Sequence, residues 1–463
     1  MGGFGDYYGQ TVLHPVGLVT VLSLGVALVL MPRRYTIYPM IVMASFIPSA
    51  QRLVIAGLDF DLMRILVLFA WARLLLRNEF KGFIWNRLDT LMVAWMVSGT
   101  LVYTLQNGTS SAFINRCGWM FVGLGMYLFF RCVLRNWEDF ERLVMGFIVV
   151  GMPVAVAFAI EWTTGRNAFS VFGGVPEITL VREGRLRCQG AFAHAILAGC
   201  FWASVMPWMA PLLGDKRRWF AVAGLLASLF IVVASSSSTP VMAVVFGLVG
   251  MAFYPLRGHL RPIRYAFFAS LVVLHFIMKG PVWSLIARVS AAAGSTGWHR
   301  YRIMDATINN FSKWWLLGEL DPMSWGVWEM RDITNQYILE GLRGGLLTMV
   351  LFVAGICVAF SIVGEALRQV ESRPQERLFT FTIGVSLFVH VWSYFGVSYF
   401  GQMLLLWYLT LAIIGSLPGI VGGSSTQTDS SDGLSLRPSD GAAEGSSPFR
   451  PEGMPAAPTA DEQ

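Results

Sequence analysis

The chain has 463 residues, 55% of them hydrophobic and only 13% charged. A soluble protein carries about 25% charge, which excludes an ordinary set of water-soluble domains. The net charge of +6 does not point to nucleic acid, because the basic residues alternate with long apolar blocks, as cytoplasmic loops of membrane proteins do.

A helix needs roughly 20 apolar residues to cross a bilayer. Candidate blocks are centred near residues 22, 43, 68, 97, 124, 151, 201, 227, 247, 271, 353, 388 and 409. The expected fold class is all-α: a polytopic transmembrane helix bundle of about 12–13 spans. The first block, Val12 to Met31, is too long for a signal-peptide core, lacks a basic leader and is followed by no A-x-A site, so no cleavable signal is expected. The second, around "PMIVMASFIPSA", is the weakest and reads as bent or re-entrant.

Six basic segments, 32–35, 77–87, 135–142, 214–218, 257–264 and 365–377, fall between alternate pairs of blocks and so on one face. The positive-inside rule makes that face cytoplasmic. The N-terminus is then extracytoplasmic and the C-terminus cytoplasmic. The membrane-embedded domain is expected over 1–421. Residues 422–463, rich in Ser, Gly, Pro and Asp, lack the apolar residues to offset ordering entropy and are expected to be disordered.

Two extracytoplasmic segments are long, at about 161–188 and 280–337. Loops of that length are functional or disordered, and their Trp, Gly, Arg and acidic residues argue against disorder. In the second, Ile303, Ala306, Thr307, Asn310 and Phe311 share a face of an amphipathic helix, followed by Trp314 and Trp315. The five cysteines show no metal-type spacing. A bridge between Cys188 and Cys117 is the one pairing considered.

Exceptions to the positive-inside pattern concentrate in these loops: Arg182, Arg185 and Arg187, then Arg288, Arg300, Arg302, Lys313 and Arg331, with Arg343 just beyond. Arginine offers a planar fork of donors that suits phosphate or carboxylate and stays charged in most surroundings. An anion, as a lipid head group or lipid-linked pyrophosphate, is one reason for such a cluster. The plain alternative is pairing with Glu177, Glu183, Asp305, Glu319, Asp321, Glu329 and Asp332.

The run "RLRCQGAFAHAILAG" (185–199) resembles a segment of the O-antigen ligase and O-antigen polymerase family, with His194-Ala195 where the family often has Pro-Asn. "SSSST" (235–239) resembles the family's Thr/Ser-Arg segment without its arginine. "HRYRIMDATINNFSKWWLLGELDP" (299–322) resembles its Arg, Trp, Ala and Pro-x-x-Gly-x-Gly stretch, with Gly318 matching and Glu319 at the second glycine. "DITNQYILEGLRGGLLT" (332–348) resembles its His-Asn-x-Tyr-Leu and Gly-Leu-x-Gly element: Asn335, Tyr337 and Gly345 match, and Thr334 replaces the histidine. The motifs cover roughly 180–360, in the family's order.

The resemblance implies a glycosyltransferase at the outer face of the bacterial cytoplasmic membrane. Its donor would be an undecaprenyl-pyrophosphate-linked glycan and its acceptor a glycan, lipid or protein. With pyrophosphate already a good leaving group, fixed cations can replace a metal, so no metal or cofactor is expected. Arg187 or Arg185, with Arg300 or Arg302, are the expected pyrophosphate clamp. Arg343, Tyr337 and His194 are further candidates for substrate binding. A general base for the acceptor hydroxyl, worth roughly 10²–10⁴-fold, is sought in Asp332, with Glu319, Asp321 and His299 as rivals. Asn335 can orient a sugar, or simply cap the following helix. The missing histidine favours a polymerase over a lipid A-core ligase. A transporter or flippase for a lipid-linked sugar predicts ionisable groups near mid-membrane, of which Arg64 reads as the clearest. A purely structural membrane protein predicts no ordered arginine cluster.

Overall fold

The structure, a computed structural model, describes residues 11–55, 58–287 and 296–433. The chain divides into two units, Met1–Val421 and Gly422–Gln463. In the first, helices α1 (Pro15–Leu30) and α2 (Ile37–Phe46) lead into an antiparallel hairpin of β1 (Arg52–Ile55) and β2 (Leu58–Asp61). Helices α3 (Leu62–Leu76), α4 (Arg87–Asn107), α5 (Ser110–Val133) and α6 (Trp137–Thr164) follow. A second small hairpin pairs β3 (Val181–Arg182) with β4 (Arg185–Leu186). Then come α7 (Ala195–Met209), α8 (Arg218–Ala234), α9 (Ser238–Ala252) and α10 (Leu260–Ile277). Short helices α11 (Thr296–Asn309) and α12 (Phe311–Trp314) precede α13 (Gln336–Gln369), α14 (Pro374–Ser393) and α15 (Gln402–Gly433), of which the residues from Gly422 on belong to the second unit. The part of the expected tail at 434–463, and Arg288 of the second loop, lie outside the described residues.

Among the described residues, seven helices are long and apolar enough to cross a membrane. Their outward faces carry side chains such as Leu105, Phe276 and Ile277, each at least 70% exposed. Apolar exposure on that scale is untenable in water and suits lipid. Helix α10 has no buried residue at all. The core lies between α4 and α13, α6 and α8, α7 and α9, and α14 against α7 and α9. Caps mark the helix starts: Asn86 and Asp89 form a capping box on α4, Thr109 caps α5 and Asn136 caps α6.

The six basic segments gather at one end of the bundle, tied to one another by ion pairs. Arg33 meets Asp139 at 2.7 Å, Arg217 meets Glu141 at 3.0 Å, Arg87 meets Glu365 at 2.8 Å and Arg257 meets Glu371 at 2.5 Å. Arg135 donates to the carbonyl of Glu79, joining the 77–87 segment to the rest. Just inside this end, Arg131 bonds buried Asp89, which also accepts from the Tyr127 hydroxyl at 2.6 Å.

At the opposite end the two long loops are ordered wherever they are described. Glu161, fully buried, accepts from the Thr179 hydroxyl at 2.9 Å and from the backbone N–H groups of Gln189 and Gly190 at 3.0 Å. The expected amphipathic face on α11 is buried at Ile303, Ala306 and Thr307, whereas Phe311 is exposed. Trp314 turns inward and donates to the Thr307 carbonyl at 2.9 Å; Trp315 faces outward. This satellite core, completed by Met330, Ile338 and Leu342, seats the second loop on α13.

Helix α13 is broken at Gly345, which sits at φ 69° and ψ −178°. The loop strand 315–319 fills the break: Leu346 N–H donates to the Trp315 carbonyl and Glu319 N–H to the Leu342 carbonyl, both at 2.7 Å. A Cβ on Gly345 would lie 2.4 Å from the Leu316 carbonyl oxygen, and one on Gly318 2.2 Å from that of Leu342. Both positions require glycine for close backbone approach.

Several expectations are corrected. Arg64 is not at mid-span: it lies in the first turn of α3, beside its cap Asp61 at 3.5 Å, and donates to the Asp59 carbonyl. Cys117 and Cys188 are both free thiols. Cys188 is buried, and burial pushes its thiol up to about 12.

Candidate functional site

The site is built on the turn between α8 and α9, the "SSSST" run. Ser236 takes up φ 45°, a left-handed conformation uncommon outside glycine, and reverses the chain. Ser237 then stands at the N-cap of α9 in an extended conformation, yet its side chain makes no cap bond. Its hydroxyl donates to the Ser235 carbonyl at 2.9 Å. The first helical N–H groups, those of Ser238 and Thr239, are therefore left without a side-chain cap, at the positive end of the helix dipole.

Two arginines distant in sequence arrive at this turn. Arg187 Nη2 donates to the Ser237 hydroxyl at 2.9 Å, and Arg300 Nη2 to the Thr239 hydroxyl at 2.7 Å. Residues two apart have Cα atoms separated by at most about 7 Å, so both guanidinium groups serve one short stretch of backbone. Arg300 also reaches the Gly396 carbonyl at 3.5 Å. Arg187 is 7% exposed, and among the described residues it pairs with no carboxylate. Burial, reinforced by Arg182, holds its guanidinium below the usual value; burial does the same for Arg300. Both stay charged at neutral pH.

Local structure explains how Arg187 is presented. Its N–H donates to the Leu180 carbonyl at 2.9 Å, continuing the β3–β4 hairpin, and Cys188 N–H donates to the Ala234 carbonyl at 3.2 Å. Glu161 then holds the next two backbone N–H groups. Arg187 is thus fixed from the hairpin, from the end of α8 and from α6.

His194 is the N-cap of α7, its Nδ1 accepting from Ile196 N–H at 3.2 Å. That bond assigns the proton to Nε2, which becomes a donor. Burial first, then the charge of Arg187, lowers its basicity, and Asp332 opposes them. Asp332 is exposed at the head of α13, and its carbonyl meets His299 Nε2 at 3.2 Å. Arg187 and Arg300 thus meet at one turn, His194 feels the charges of Arg187 and Asp332, and Asp332 is tied to His299 through its main-chain carbonyl.

The remaining candidates go elsewhere. Asn335 is buried and caps α13, accepting from Ile338 N–H at 3.2 Å. The Tyr337 hydroxyl donates to the Val391 carbonyl at 2.9 Å while its ring packs on Tyr394 and Phe395. Arg302 is 3.7 Å from Glu329, the plain pairing. Arg185 is exposed on the hairpin, and Arg343 lines a separate cavity. Glu319 accepts from Asp321 N–H at 3.0 Å. Sequence reasoning passed over Glu161 and Glu340, both buried acids in helices α6 and α13. Each is a lone acid in an apolar run, the signal that marks intramembrane ionisable residues for attention.

Two cationic forks, an uncapped helix N-terminus and an imidazole donor can together hold an anion with several oxygens. A carboxylate lies beside it. No family model matches the chain, and no curated protein matches it significantly.

Proposed function

We propose that the protein is a multi-pass glycan transferase of the O-antigen polymerase or ligase kind. It acts on an undecaprenyl-pyrophosphate-linked glycan at the outer face of a bacterial cytoplasmic membrane. On this reading α1 to α10, α13, α14 and α15 are thirteen spans. The end carrying the paired basic loops is cytoplasmic, as positive loops favour, and the C-terminus is cytoplasmic on this reading.

The observation that carries the reading is the convergence of Arg187 and Arg300 on Ser237 and Thr239. The donor pyrophosphate sits on the two guanidinium groups and the first N–H groups of α9, with His194 Nε2–H as a further donor. The acceptor hydroxyl attacks the anomeric carbon, the C1–O bond to pyrophosphate breaks, and the hydroxyl proton passes to Asp332 or, as the rival, to His299. Fixed cations neutralise the negative charge that grows on the leaving group, so the reaction needs no metal. Polymerisation stands ahead of transfer to lipid A-core or protein, since Thr334 occupies the position of the ligase-associated histidine.

A transporter for the same lipid-linked sugar draws on one observation. Glu340 is buried in the bundle, accepting from Trp95 Nε1 at 2.9 Å and Gln336 Nε2 at 2.7 Å. Reconstitution in proteoliposomes with undecaprenyl-pyrophosphate glycan separates the two. The transferase gives longer or transferred glycan with chelator present, and Arg187→Ala or Arg300→Ala abolishes it while the protein still inserts. Movement of the lipid across the bilayer with no new glycosidic bond would favour the transporter, and chelator sensitivity would refute metal independence.

A further inference from the structure

The segment 394–401, which joins α14 to α15, packs directly against the α9 turn. The Gly396 carbonyl accepts from Arg300 Nη2 at 3.5 Å. A Cβ on Gly396 would lie 2.8 Å from Thr239 Cγ2 and 3.1 Å from Arg300 Nη2, so the backbone itself abuts the arginine. A displacement of this segment therefore moves Arg300 or takes a partner from its fork.

Two buried glutamines hold the segment. Gln336 opens α13. Its N–H donates to the Tyr394 carbonyl at 3.0 Å, and its side-chain Oε1 accepts from Tyr399 N–H at 2.7 Å. Its Nε2 donates to Glu340 Oε1, one turn on, at 2.7 Å, and the other Glu340 oxygen accepts from Trp95 Nε1 at 2.9 Å. Gln402 opens α15. Its Nε2 donates to the carbonyls of Ile47 at 3.2 Å and Ala191 at 2.6 Å, and its Oε1 accepts from the Ser49 hydroxyl at 2.9 Å. Ala191 follows directly on the backbone that Glu161 and the end of α8 fix beside Arg187. One glutamine thus ties the segment to α13, and the other ties its end to the backbone that presents Arg187.

Donor and acceptor chemistry fixes which way each amide points. A backbone N–H only donates, and a carbonyl or carboxylate oxygen only accepts. Tyr399 N–H therefore meets Oε1 of Gln336, and the Glu340 carboxylate meets its Nε2. In the same way the two carbonyls at Gln402 require its Nε2. An acid in place of either glutamine keeps the shape and sets oxygen against oxygen. We propose that Gln336 and Gln402 are positioning residues of the transfer site. Glu340 orients the first of them, and together they hold Arg300 and Arg187 at the spacing that one pyrophosphate requires. The proposal rests on the donor reading of the Arg187–Arg300 site. It gives the buried Glu340 a task other than carrying a substrate or ion across the bilayer.

The test is an exchange of the pair. Gln336→Glu sets a second carboxylate against Glu340. In the double variant Gln336→Glu/Glu340→Gln the amide and the carboxylate trade places, and Tyr399 N–H, Trp95 Nε1 and the link between the two side chains all keep partners. The full chain in nanodiscs is read three ways: hydrogen exchange over 394–401, affinity for inorganic pyrophosphate, and glycan transfer per folded protein. A misplacement of about 1 Å costs roughly 10²-fold in rate. Gln336→Glu and Gln402→Glu should each quicken exchange over 394–401, weaken pyrophosphate and lower kcat by about 10²-fold. The double variant should recover most of all three. Unchanged exchange in both single variants would overturn the bracing. Quickened exchange with undiminished affinity and transfer, while Arg300→Ala loses both, would overturn the positioning role and leave the donor reading standing. A double variant as impaired as Gln336→Glu would overturn the role of Glu340. If Arg187→Ala and Arg300→Ala bind pyrophosphate and transfer glycan as the wild type does, the donor reading fails and the proposal falls with it.

Discussion

The two ends of the helix bundle use arginine differently. At the end with the basic loops, arginines meet carboxylates: Arg33 with Asp139, Arg73 with Glu79, Arg131 with Asp89, Arg217 with Glu141. At the other end, Arg187 is as buried as Arg131 but bonds a serine hydroxyl. A buried cation is costly unless paired, and a hydroxyl compensates less than a carboxylate. The first arrangement is complete by itself. The second leaves charge for a ligand. The contrast is not simply between ends, because Arg52, Arg166 and Arg302 at the loop end pair with acids as well. It separates arginines that meet a carboxylate from Arg187, which bonds a hydroxyl.

Substitutions can break that contrast, and the largest effect falls on the structural class. Arg131→Ala leaves Asp89 buried without its cation, costing about 3–5 kcal/mol. Thermal unfolding in detergent should show the loss, while surviving folded protein keeps its specific activity. Arg187→Ala and Arg300→Ala should each cost about 10²–10³-fold in glycan transfer, with unfolding shifted far less than in Arg131→Ala. If all three variants lose stability equally and none loses specific activity, the distinction fails.

Glu161→Ala strands the Thr179 hydroxyl and the N–H groups of Gln189 and Gly190, and a stranded buried partner costs about 1–3 kcal/mol. Limited proteolysis between 165 and 190 should quicken, and transfer should fall because Arg187 loses its support. Gly345→Ala forces a side chain into a glycine conformation against the Leu316 carbonyl, a strain of about 1–3 kcal/mol. It should loosen the 315–319 segment in hydrogen exchange and leave the basic end protected.

The smallest effect is a pH dependence. His194 is less basic in the folded protein than in the unfolded chain, where its value is about 6.5. Below that pH the unfolded chain takes up the proton more readily, so His194 contributes stability that is lost as the pH falls. His194→Asn should flatten the decline in melting temperature between pH 7.5 and pH 5.5. An unchanged slope would place the effect elsewhere.

Much of this organisation was legible in the sequence. The six basic segments were expected on one face, and they are linked through Asp139, Glu141, Glu79, Glu365 and Glu371. Periodicity placed Ile303 and Ala306 on a buried face of α11. The site was less legible, because what separates Arg187 from Arg185, or Arg300 from Arg302, is direction along a two-residue repeat or a helical turn. Composition is the same for each pair. Arg185 points away on the hairpin and Arg302 turns to Glu329, facts set by packing across elements far apart in the chain. Asn335 matched a motif, yet its carbonyl oxygen serves the helix cap. Gly318 and Gly345 matched too, and their role is to let a loop strand enter a broken helix. Arg343 stood beside Gly344 and Gly345 in sequence but lines a separate cavity.

An experimental structure of the full chain with undecaprenyl pyrophosphate bound tests the central claim most directly. The account predicts pyrophosphate oxygens within hydrogen-bond distance of Arg187 and Arg300, over the Ser238 and Thr239 N–H groups. A pyrophosphate bound with neither arginine in contact would contradict it.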